Sequence, residues 1–150
     1  MDVALIWNPA RGRADWAVTS GDLAIDPGGL QTAVILSLFT DARAPANYTP
    51  AAGSPTGLRG VWSDTYDGFQ LGSLLWTLNR TAISNRTAFL NQAKDICLNA
   101  LQWLVTAGVV ATISVTTAML TPSALGIWVA LTEPNGSSQN ISFNWAWQGA

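Results

Sequence analysis

The sequence contains no histidine and only one cysteine, Cys97. Histidine is the commonest general base near neutral pH and the commonest metal ligand, so its absence excludes the most frequent catalytic and metal-binding arrangements. A single cysteine cannot form an intrachain disulfide, which suits a protein that folds in a reducing cytosol. Because Cys97 falls within a helical apolar stripe, we expect a buried and unreactive thiol.

Charged residues are also scarce. Asp, Glu, Lys and Arg together make up 11% of the chain, where an ordinary soluble domain carries about 25%. The formal net charge is only −2. A surface with so few charges keeps a free monomer poorly dispersed, so we expect much of it to be covered by partner proteins in the working state.

Nucleic acid and membranes are not expected partners. The arginines are scattered along the chain and Lys94 is the only lysine, whereas phosphate recognition requires clustered positive charge. No apolar run approaches the roughly 18 to 20 residues that a membrane-spanning helix requires. A secretory signal is not expected either, because Asp2 follows Met1 directly and Pro9 soon interrupts the chain.

Without histidine, a catalytic or metal site would have to be built from carboxylates. The stretch from Asp64 to Gly68 has a faint likeness to a calcium loop, but the ligand series and the closing Glu are missing. Asp64 and Asp67 are also candidates for a glycosidase pair, although nothing in the sequence indicates a suitable separation. We therefore predict no catalytic residues, no metal site and no cofactor, and we expect the aspartates to serve in turns and caps.

The chain has eight tryptophans, which are candidates for stacking platforms that bind sugar rings. Trp76 lies in a leucine-rich segment and Trp103 beside the apolar stripe of a long helix, so we expect these two to pack in the core. Trp145 and Trp147 share one face of a terminal strand, where either core packing or an interface role fits the pattern. A tryptophan-rich carbohydrate-binding module therefore stays open as an alternative function.

The first forty residues predict strands followed by a helix. Residues 2–7 and 15–19 are extended on either side of a turn, which indicates a β-hairpin. A second turn at residues 20–22 leads to a short strand at residues 23–25. Residues 30–39 predict a helix that is buried on most sides, because apolar residues lie nearly all round it.

Two further helices are expected in the middle of the chain, after a loop over residues 44–60 that is rich in Pro, Gly and Ala. Residues 69–79 predict a helix with one leucine face. A longer helix begins at a cap supplied by Asn85 or Thr87 and ends at Gly108. Its apolar stripe has the three-and-four spacing of an amphipathic helix and consists of Phe89, Leu90, Ala93, Ile96, Cys97, Ala100, Leu101 and Leu104.

Beyond the long helix the apolar period changes to two, which predicts half-buried strands. The alternation runs over residues 109–116 and, after a break at Pro122, over residues 125–131. A hairpin turn sequence, Glu133-Pro134-Asn135-Gly136, leads into a last alternating segment. The predicted fold is therefore α+β, with an N-terminal β-hairpin, central helices and a C-terminal antiparallel strand meander, in one domain over residues 1–150.

The last strand, from Asn140 to Trp147, is the predicted partner-binding element. It contains none of the charged residues or prolines that edge strands use to discourage unwanted pairing. A strand added by a partner would satisfy its free backbone groups while its apolar face contributes contact. The competing interpretation is an internal strand whose aromatic side chains close the core. The candidate interface residues are Ile141, Phe143, Trp145 and Trp147.

Several motifs follow one another along the chain. They are Gly21-Asp22-Leu23-Ala24, Gly29-Leu30-Gln31-Thr32-Ala33-Val34, Ser37-Leu38-Phe39-Thr40-Asp41-Ala42-Arg43-Ala44, Val61-Trp62-Ser63-Asp64, Gly72-Ser73-Leu74-Leu75-Trp76 and Ala100-Leu101-Gln102-Trp103-Leu104-Val105. Through the order and spacing of these motifs, the chain resembles the small baseplate protein family of Mu-like phages over most of its length. None of these motifs is catalytic.

The resemblance implies a structural subunit and not an enzyme. That family is similar to the wider group of lysozyme-like baseplate wedge proteins, which despite the label are structural parts of contractile tails. The resemblance implies a place in the baseplate of the virion tail, assembly in the cytoplasm of the bacterial host, and a sixfold arrangement with other baseplate subunits. The implied partners are a larger baseplate wedge protein and the tail sheath protein, which this subunit would join.

One motif of the wider group is incomplete in this sequence. Members of the group often carry a Glu-Pro-Arg tripeptide. Here Glu133-Pro134 is followed by Asn135, in a stretch that predicts a hairpin turn. The role of the tripeptide is therefore not transferred to these residues.

The purified chain is not expected to hydrolyse peptidoglycan, because no residue pattern supports an acid and base pair. Incubation with purified peptidoglycan, with release of soluble sugar fragments as the readout and a lysozyme as positive control, checks this. The alternative function is a cell-wall hydrolase that uses aspartates. Fragment release that is lost in Asp64→Asn or Asp67→Asn would contradict the structural interpretation.

Overall fold

The computed structural model describes residues 2–26, 28–50, 57–64, 70–79 and 82–146. Within these ranges, six short strands are followed by an α-helix, a 3₁₀ turn, a long α-helix and three long strands. Helices and strands are segregated along the chain and the paired strands are antiparallel. The predicted α+β class is confirmed.

The six N-terminal strands form three two-stranded ladders. They are β1 (Asp2–Val3), β2 (Leu5–Asn8), β3 (Arg13–Trp16), β4 (Val18–Thr19), β5 (Asp22–Leu23) and β6 (Ile25–Asp26). β2 and β3 are the predicted hairpin, and β1 pairs with β6. The second predicted turn joins β4 to β5 through Ser20 and Gly21, whose positive φ angles of 54° and 90° are typical of a type I′ hairpin turn.

The three ladders meet at a closed ring of three backbone hydrogen bonds. The N–H of Ala4 donates to the carbonyl of Ala24 (2.9 Å), that of Ala24 to Ala17 (2.8 Å), and that of Ala17 to Ala4 (3.0 Å). All three positions are alanine, and a methyl side chain leaves room for three chain segments to meet at one point. No local sequence pattern predicts this junction, because each bond joins residues from a different pair of segments.

The first helix, α1 (Leu30–Phe39), has the predicted limits and is buried on most sides. It follows Gly29, whose φ of 65° is a conformation that favours glycine. Gly29 has no side chain to cap the helix, and the carboxylate of Asp26 instead accepts a hydrogen bond from the N–H of Thr32 (3.0 Å). The hydroxyl of Thr32 donates to the carbonyl of Val3 (3.3 Å), which ties the start of the helix to β1.

The helix predicted over residues 69–79 is wrong, because the described part of this range contains only a 3₁₀ turn, Leu75–Leu78. The backbone just before that turn is paired with the segment that follows α1. The N–H of Ser73 donates to the carbonyl of Thr40 (2.9 Å), and the N–H of Ala42 donates to the carbonyl of Ser73 (3.0 Å). These long-range bonds occupy groups that a regular helix would use within itself.

The long helix, α2 (Arg86–Thr106), is confirmed. The side chain of Asn85 accepts a backbone hydrogen bond from the first turn (3.1 Å), so Asn85 and not Thr87 is the cap. At the other end, Gly108 has a φ of 72° and follows the helix as a C-terminal stop. Neither α-helix in the described part of the chain has both the length and the hydrophobicity of a membrane-spanning segment.

The C-terminal strands form the predicted antiparallel meander, in the order β7-β8-β9. They are β7 (Thr112–Thr121), β8 (Ala124–Thr132) and β9 (Ser138–Ala146). β8 is the central strand, and its alternate residues are fully buried, as the period of two predicts. These buried residues of β8 are Leu125, Ile127, Val129 and Leu131.

One hydrophobic core joins the helices to the inner face of this sheet. α2 lies against β7, where the hydroxyl of Thr117 also donates to the carbonyl of Leu90 (2.8 Å). α1 contacts both α2 and β2. The predicted stripe of α2 faces this core, with Phe89, Ala93, Cys97, Leu101 and Leu104 buried and Leu90, Ile96 and Ala100 half-buried.

Truncation of Leu101 to Ala should lower the free energy of unfolding by about 2–5 kcal/mol, because the side chain is fully buried and its loss leaves a cavity. Leu36→Ala is the matched control, since Leu36 is an exposed leucine of α1, and should cost about 1 kcal/mol or less. Urea unfolding followed by circular dichroism measures both. Equal losses in the two variants would contradict the packing of α2.

Candidate partner-binding site

β9 carries three of the four predicted interface residues, Ile141, Phe143 and Trp145, and the structure places their side chains on its inner face. Phe143 is 3% exposed and belongs to the core. Ile141 and Trp145 are half-buried and pack against that core. Trp147 lies outside the described residues. The side chain of Phe143 thus closes the core. Any contact of a partner with this strand would therefore involve its main chain more than the side chain of Phe143.

An aromatic cluster holds β9 against the N-terminal ladders and α1. The rings of Trp7 and Phe39 are stacked, with centroids 3.8 Å apart and planes 19° from parallel. Phe143 meets Phe39 edge to face at 5.1 Å and Trp7 at 6.3 Å. Edge-to-face and stacked pairs of this kind add about 0.5–1.5 kcal/mol each beyond their buried area.

A hydrogen bond reinforces this cluster. The indole N–H of Trp7 donates to the main-chain carbonyl of Asn144 in β9 (2.8 Å). Trp7 therefore contacts both the side-chain layer and the backbone of the last strand. No sequence signal predicts this contact, because the two residues lie at opposite ends of the chain.

β9 has an open edge on the side away from β8. At the turn, the N–H of Glu133 donates to the carbonyl of Ser137 (2.8 Å), and antiparallel alternation then pairs the odd-numbered residues of β9 with β8. The main-chain groups of Ser138, Asn140, Ser142 and Asn144 consequently point outward, and the carbonyl of Asn144 is already bonded to the indole of Trp7. Within the described ranges, no backbone hydrogen bond from another element reaches Ser138, Asn140 or Ser142. Such an edge can accept an added strand.

The outer face of the C-terminal sheet is exposed and uncharged. Trp128 lies on this face over Gly126, where an added Cβ would come within 2.5 Å of the indole ring. A shallow depression of about 360 Å³ beside Trp128 is lined mainly by hydroxyl and amide side chains and small residues. These lining residues are Ser114, Thr116, Trp128, Val129, Ala130, Asn140, Ile141 and Ser142. The open edge of β9 borders this face.

A larger cavity of about 450 Å³ lies between the N-terminal hairpin, α1 and Trp145. The charged residues that line it are Arg13, Asp41 and Arg59. Arg59 forms an ion pair with Asp41, and its guanidinium lies 4.4 Å from the ring centroid of Trp76. Arg59 is thus already held by a carboxylate and an aromatic face.

Three aspartates, Asp15, Asp26 and Asp64, accept hydrogen bonds from backbone N–H groups. Asp64 accepts from the N–H of Val61 (3.2 Å) and of Leu71 (3.1 Å), which confirms its expected role in a turn. Asp67 lies outside the described residues, so its distance from Asp64 is not part of the structure. Across the described ranges, no three His, Cys, Asp or Glu side chains gather into a group that could hold a metal ion.

The two tryptophans expected in the core differ in their exposure. Trp76 is buried, as predicted, and its indole N–H donates to the carbonyl of Ala42 (2.9 Å). Trp103 is 42% exposed, so the expectation that it packs in the core is wrong. Its indole N–H donates to the hydroxyl of Ser37 in α1 (2.9 Å), which links α2 to α1 across their surface.

Comparison with known proteins gives concordant matches. The family described as phage protein GP46 matches residues 30–138. Baseplate protein gp46 of Escherichia phage Mu is 39% identical over 148 residues, which cover 99% of this chain and 98% of that protein. Mu-like prophage FluMu protein gp46 of Haemophilus influenzae is 35% identical over 147 residues, or 97% of each chain.

The two relatives match over nearly the whole of both chains, so this chain is a phage protein of the Mu-like group. The chain belongs to the phage protein GP46 family. The Mu-like baseplate family that the ordered motifs predicted is thereby confirmed.

Cys97 should be unreactive in the folded protein. Its burial raises the pKa of the thiol from its ordinary 9.0 to about 12, and the thiolate is the reactive form. At pH 8, Ellman's reagent should label the native chain only slowly and should label it fully in concentrated guanidinium chloride. Rapid, stoichiometric labelling without denaturant would contradict the burial of Cys97.

The same pKa shift has a consequence for stability. Above about pH 9 the unfolded chain releases the Cys97 proton while the folded chain keeps it until about pH 12. Burial of this thiol should therefore reduce stability progressively as the pH rises through that window. Cys97→Ala removes this contribution and is the control.

Proposed function

We propose that this chain is a structural, non-enzymatic subunit of a contractile-tail baseplate that joins the wedge to the tail sheath. The observation that carries the proposal is the nearly full-length match to the Mu baseplate protein. In this proposal the subunit sits in the baseplate of the virion tail, in a sixfold assembly that forms in the host cytoplasm. Its neighbours are a larger wedge protein, the sheath protein and other baseplate subunits.

The composition supports a subunit whose surface is covered by partners. Only 11% of residues are charged, and from residue 107 to the end of the sequence Glu133 is the sole charged residue. The outer face of the β7–β9 sheet belongs to this region. A surface of hydroxyl, amide and apolar groups desolvates at lower cost than a charged one, which suits a permanent interface.

The whole chain acts as one domain in this proposal. The hydrophobic core runs from Leu30 in α1 to Phe143 in β9 and contains residues of both α-helices and of the sheet. Leu5 and Trp7 of the N-terminal ladder pack against the same core. A single core shared by these elements supports one domain.

The open edge of β9 is the proposed docking element. A partner strand would hydrogen-bond to the outward N–H and C=O groups of Asn140 and Ser142. Because Phe143 is buried, apolar contact would come from the half-buried Ile141 and Trp145 and not from the centre of the strand. The tail sheath protein is the proposed donor of the added strand.

Replacement of Asn140 by Pro should block docking and spare the fold. The N–H at this position points away from β8, so its loss removes a bond to the partner and none to the subunit's own sheet. Asn140→Thr is the matched control, since it keeps the N–H and favours a strand. In a Mu-like phage that lacks its own copy of the gene, Asn140→Pro should incorporate into tails at least about tenfold less than Asn140→Thr.

Quantitative immunoblotting of purified tails measures incorporation, and thermal unfolding of each purified variant checks the fold. Ser142→Lys, which places a charge on the same edge, should lose incorporation in the same way. Normal incorporation of both Asn140→Pro and Ser142→Lys would contradict docking at this edge.

A further inference from the structure

The loop between β8 and β9 contains the one Asn-Gly pair of the sequence, Asn135-Gly136. The loop consists of residues 134–136 and is closed by a hydrogen bond from the N–H of Glu133 to the carbonyl of Ser137 (2.8 Å). Gly136 has a φ of 88°, which is typical of the last residue of a three-residue hairpin loop. Any side chain at position 136 would strain this backbone, so the fold itself requires glycine directly after Asn135.

An asparagine that precedes glycine is open to attack by its own main chain. Glycine has no side chain to shield its backbone nitrogen, so the nitrogen of Gly136 can attack the amide carbon Cγ of Asn135. Both residues are exposed to solvent, which supplies the base and the water for the reaction. In an unfolded chain the flexibility of glycine makes the required approach frequent.

Three hydrogen bonds oppose this approach in the folded loop. The Oδ1 atom of Asn135 accepts from the N–H of Ser137 (2.7 Å), and its Nδ2 atom donates to Oε2 of Glu133 (3.3 Å). The N–H of Gly136 donates to the carbonyl of Glu133 (3.0 Å). The attack requires rotation of the Asn135 amide and loss of the Gly136 amide proton, so each of these bonds must first break.

The carboxylate of Glu133 also ties the loop to β9. Its second oxygen, Oε1, accepts from Nε2 of Gln139 (3.1 Å), so one carboxylate bridges two amide side chains. Hydrogen bonds to an ionised acceptor are stronger than those between neutral groups. Glu133 therefore restrains the Asn135 amide with its side chain and the Gly136 amide with its main chain.

We propose that Asn135 is a site of spontaneous deamidation and that Glu133 is the positioning residue that slows the reaction in the folded chain. The nitrogen of Gly136 gives its proton to a solvent base, and its electron pair forms a bond to Cγ of Asn135. The bond from Cγ to Nδ2 breaks, and ammonia leaves with a proton from solvent. Water then opens the cyclic imide at either carbonyl and leaves aspartate or isoaspartate at position 135. The proposal concerns the chain alone and does not depend on the proposed function.

Either product would weaken the loop. An aspartate at position 135 has no amide N–H to donate, and it places a second carboxylate beside Glu133, which repels it. An isoaspartate makes the main chain one atom longer within a loop whose length sets the register of the hairpin. Deamidation should therefore loosen the start of β9, where Ser138 begins the open edge.

Peptide mapping by mass spectrometry tests the site. The full chain is incubated in mildly alkaline buffer, and the mass gain from replacement of NH₂ by OH is followed at Asn135. Conversion should be at least about tenfold slower in the folded chain than in concentrated guanidinium chloride. Asn140 is the internal control, because the branched side chain of Ile141 shields the nitrogen that follows it. Equal rates at Asn135 with and without denaturant, or equal rates at Asn135 and Asn140 in denaturant, would overturn the proposal.

A pair of variants tests the role of Glu133. Glu133→Ala removes both side-chain hydrogen bonds and should speed conversion of Asn135 at least about threefold. Glu133→Gln keeps an acceptor oxygen and should stay within about twofold of wild type. Circular dichroism checks that each variant is folded. A rate in Glu133→Ala equal to that of wild type would overturn the restraint, and a slower rate would show instead that the carboxylate acts as a base.

Hydrogen exchange measures the effect of the product without waiting for the reaction. Asn135→Asp should lower the protection of the Gly136 amide at least about threefold relative to Asn140→Asp, which adds the same charge to the same hairpin. Unchanged protection of Gly136 in Asn135→Asp would overturn the predicted loosening of the loop.

Discussion

The contact between Trp7, Phe39 and Phe143 is the constraint on which the arrangement of exposed surfaces depends. These residues come from β2, α1 and β9, and the indole of Trp7 also bonds to the backbone of Asn144. Through this cluster the N-terminal ladders pack against one side of the core, and the aromatic side chains of β9 point inward. Among the described residues, this packing leaves the outward edge of β9 uncovered from Ser138 to Ser142.

The edge of β9 from Ser138 to Ser142 offers main-chain groups to which no other described element forms a backbone hydrogen bond. As the proposed docking element, it would select for an extended partner segment and read little of the side-chain sequence of that segment.

Elements governed by local patterns were predictable from the sequence. The stripe of α2 and the alternation of β8 depend on residues close together in the chain, and both appear as predicted. Of the two residues predicted as possible caps of α2, Asn85 is the one that caps it. Features set by distant contacts were not. The segment before the 3₁₀ turn pairs with the chain after α1, and Gly72 approaches so closely that a Cβ would lie 2.2 Å from the carbonyl oxygen of Thr40. Leucine spacing alone carried no sign of either contact.

The candidate site divides in the same way. The absence of charge on β9 was visible in the sequence, whereas the inward direction of Phe143 depends on packing against Trp7 and Phe39.

Electron cryomicroscopy of assembled Mu-like tails that contain this chain is the most direct test of the proposed docking along β9. The subunit should lie in the baseplate, with a strand from a neighbouring protein paired along β9. A subunit that is missing from the baseplate, or whose β9 edge faces solvent there, would contradict it.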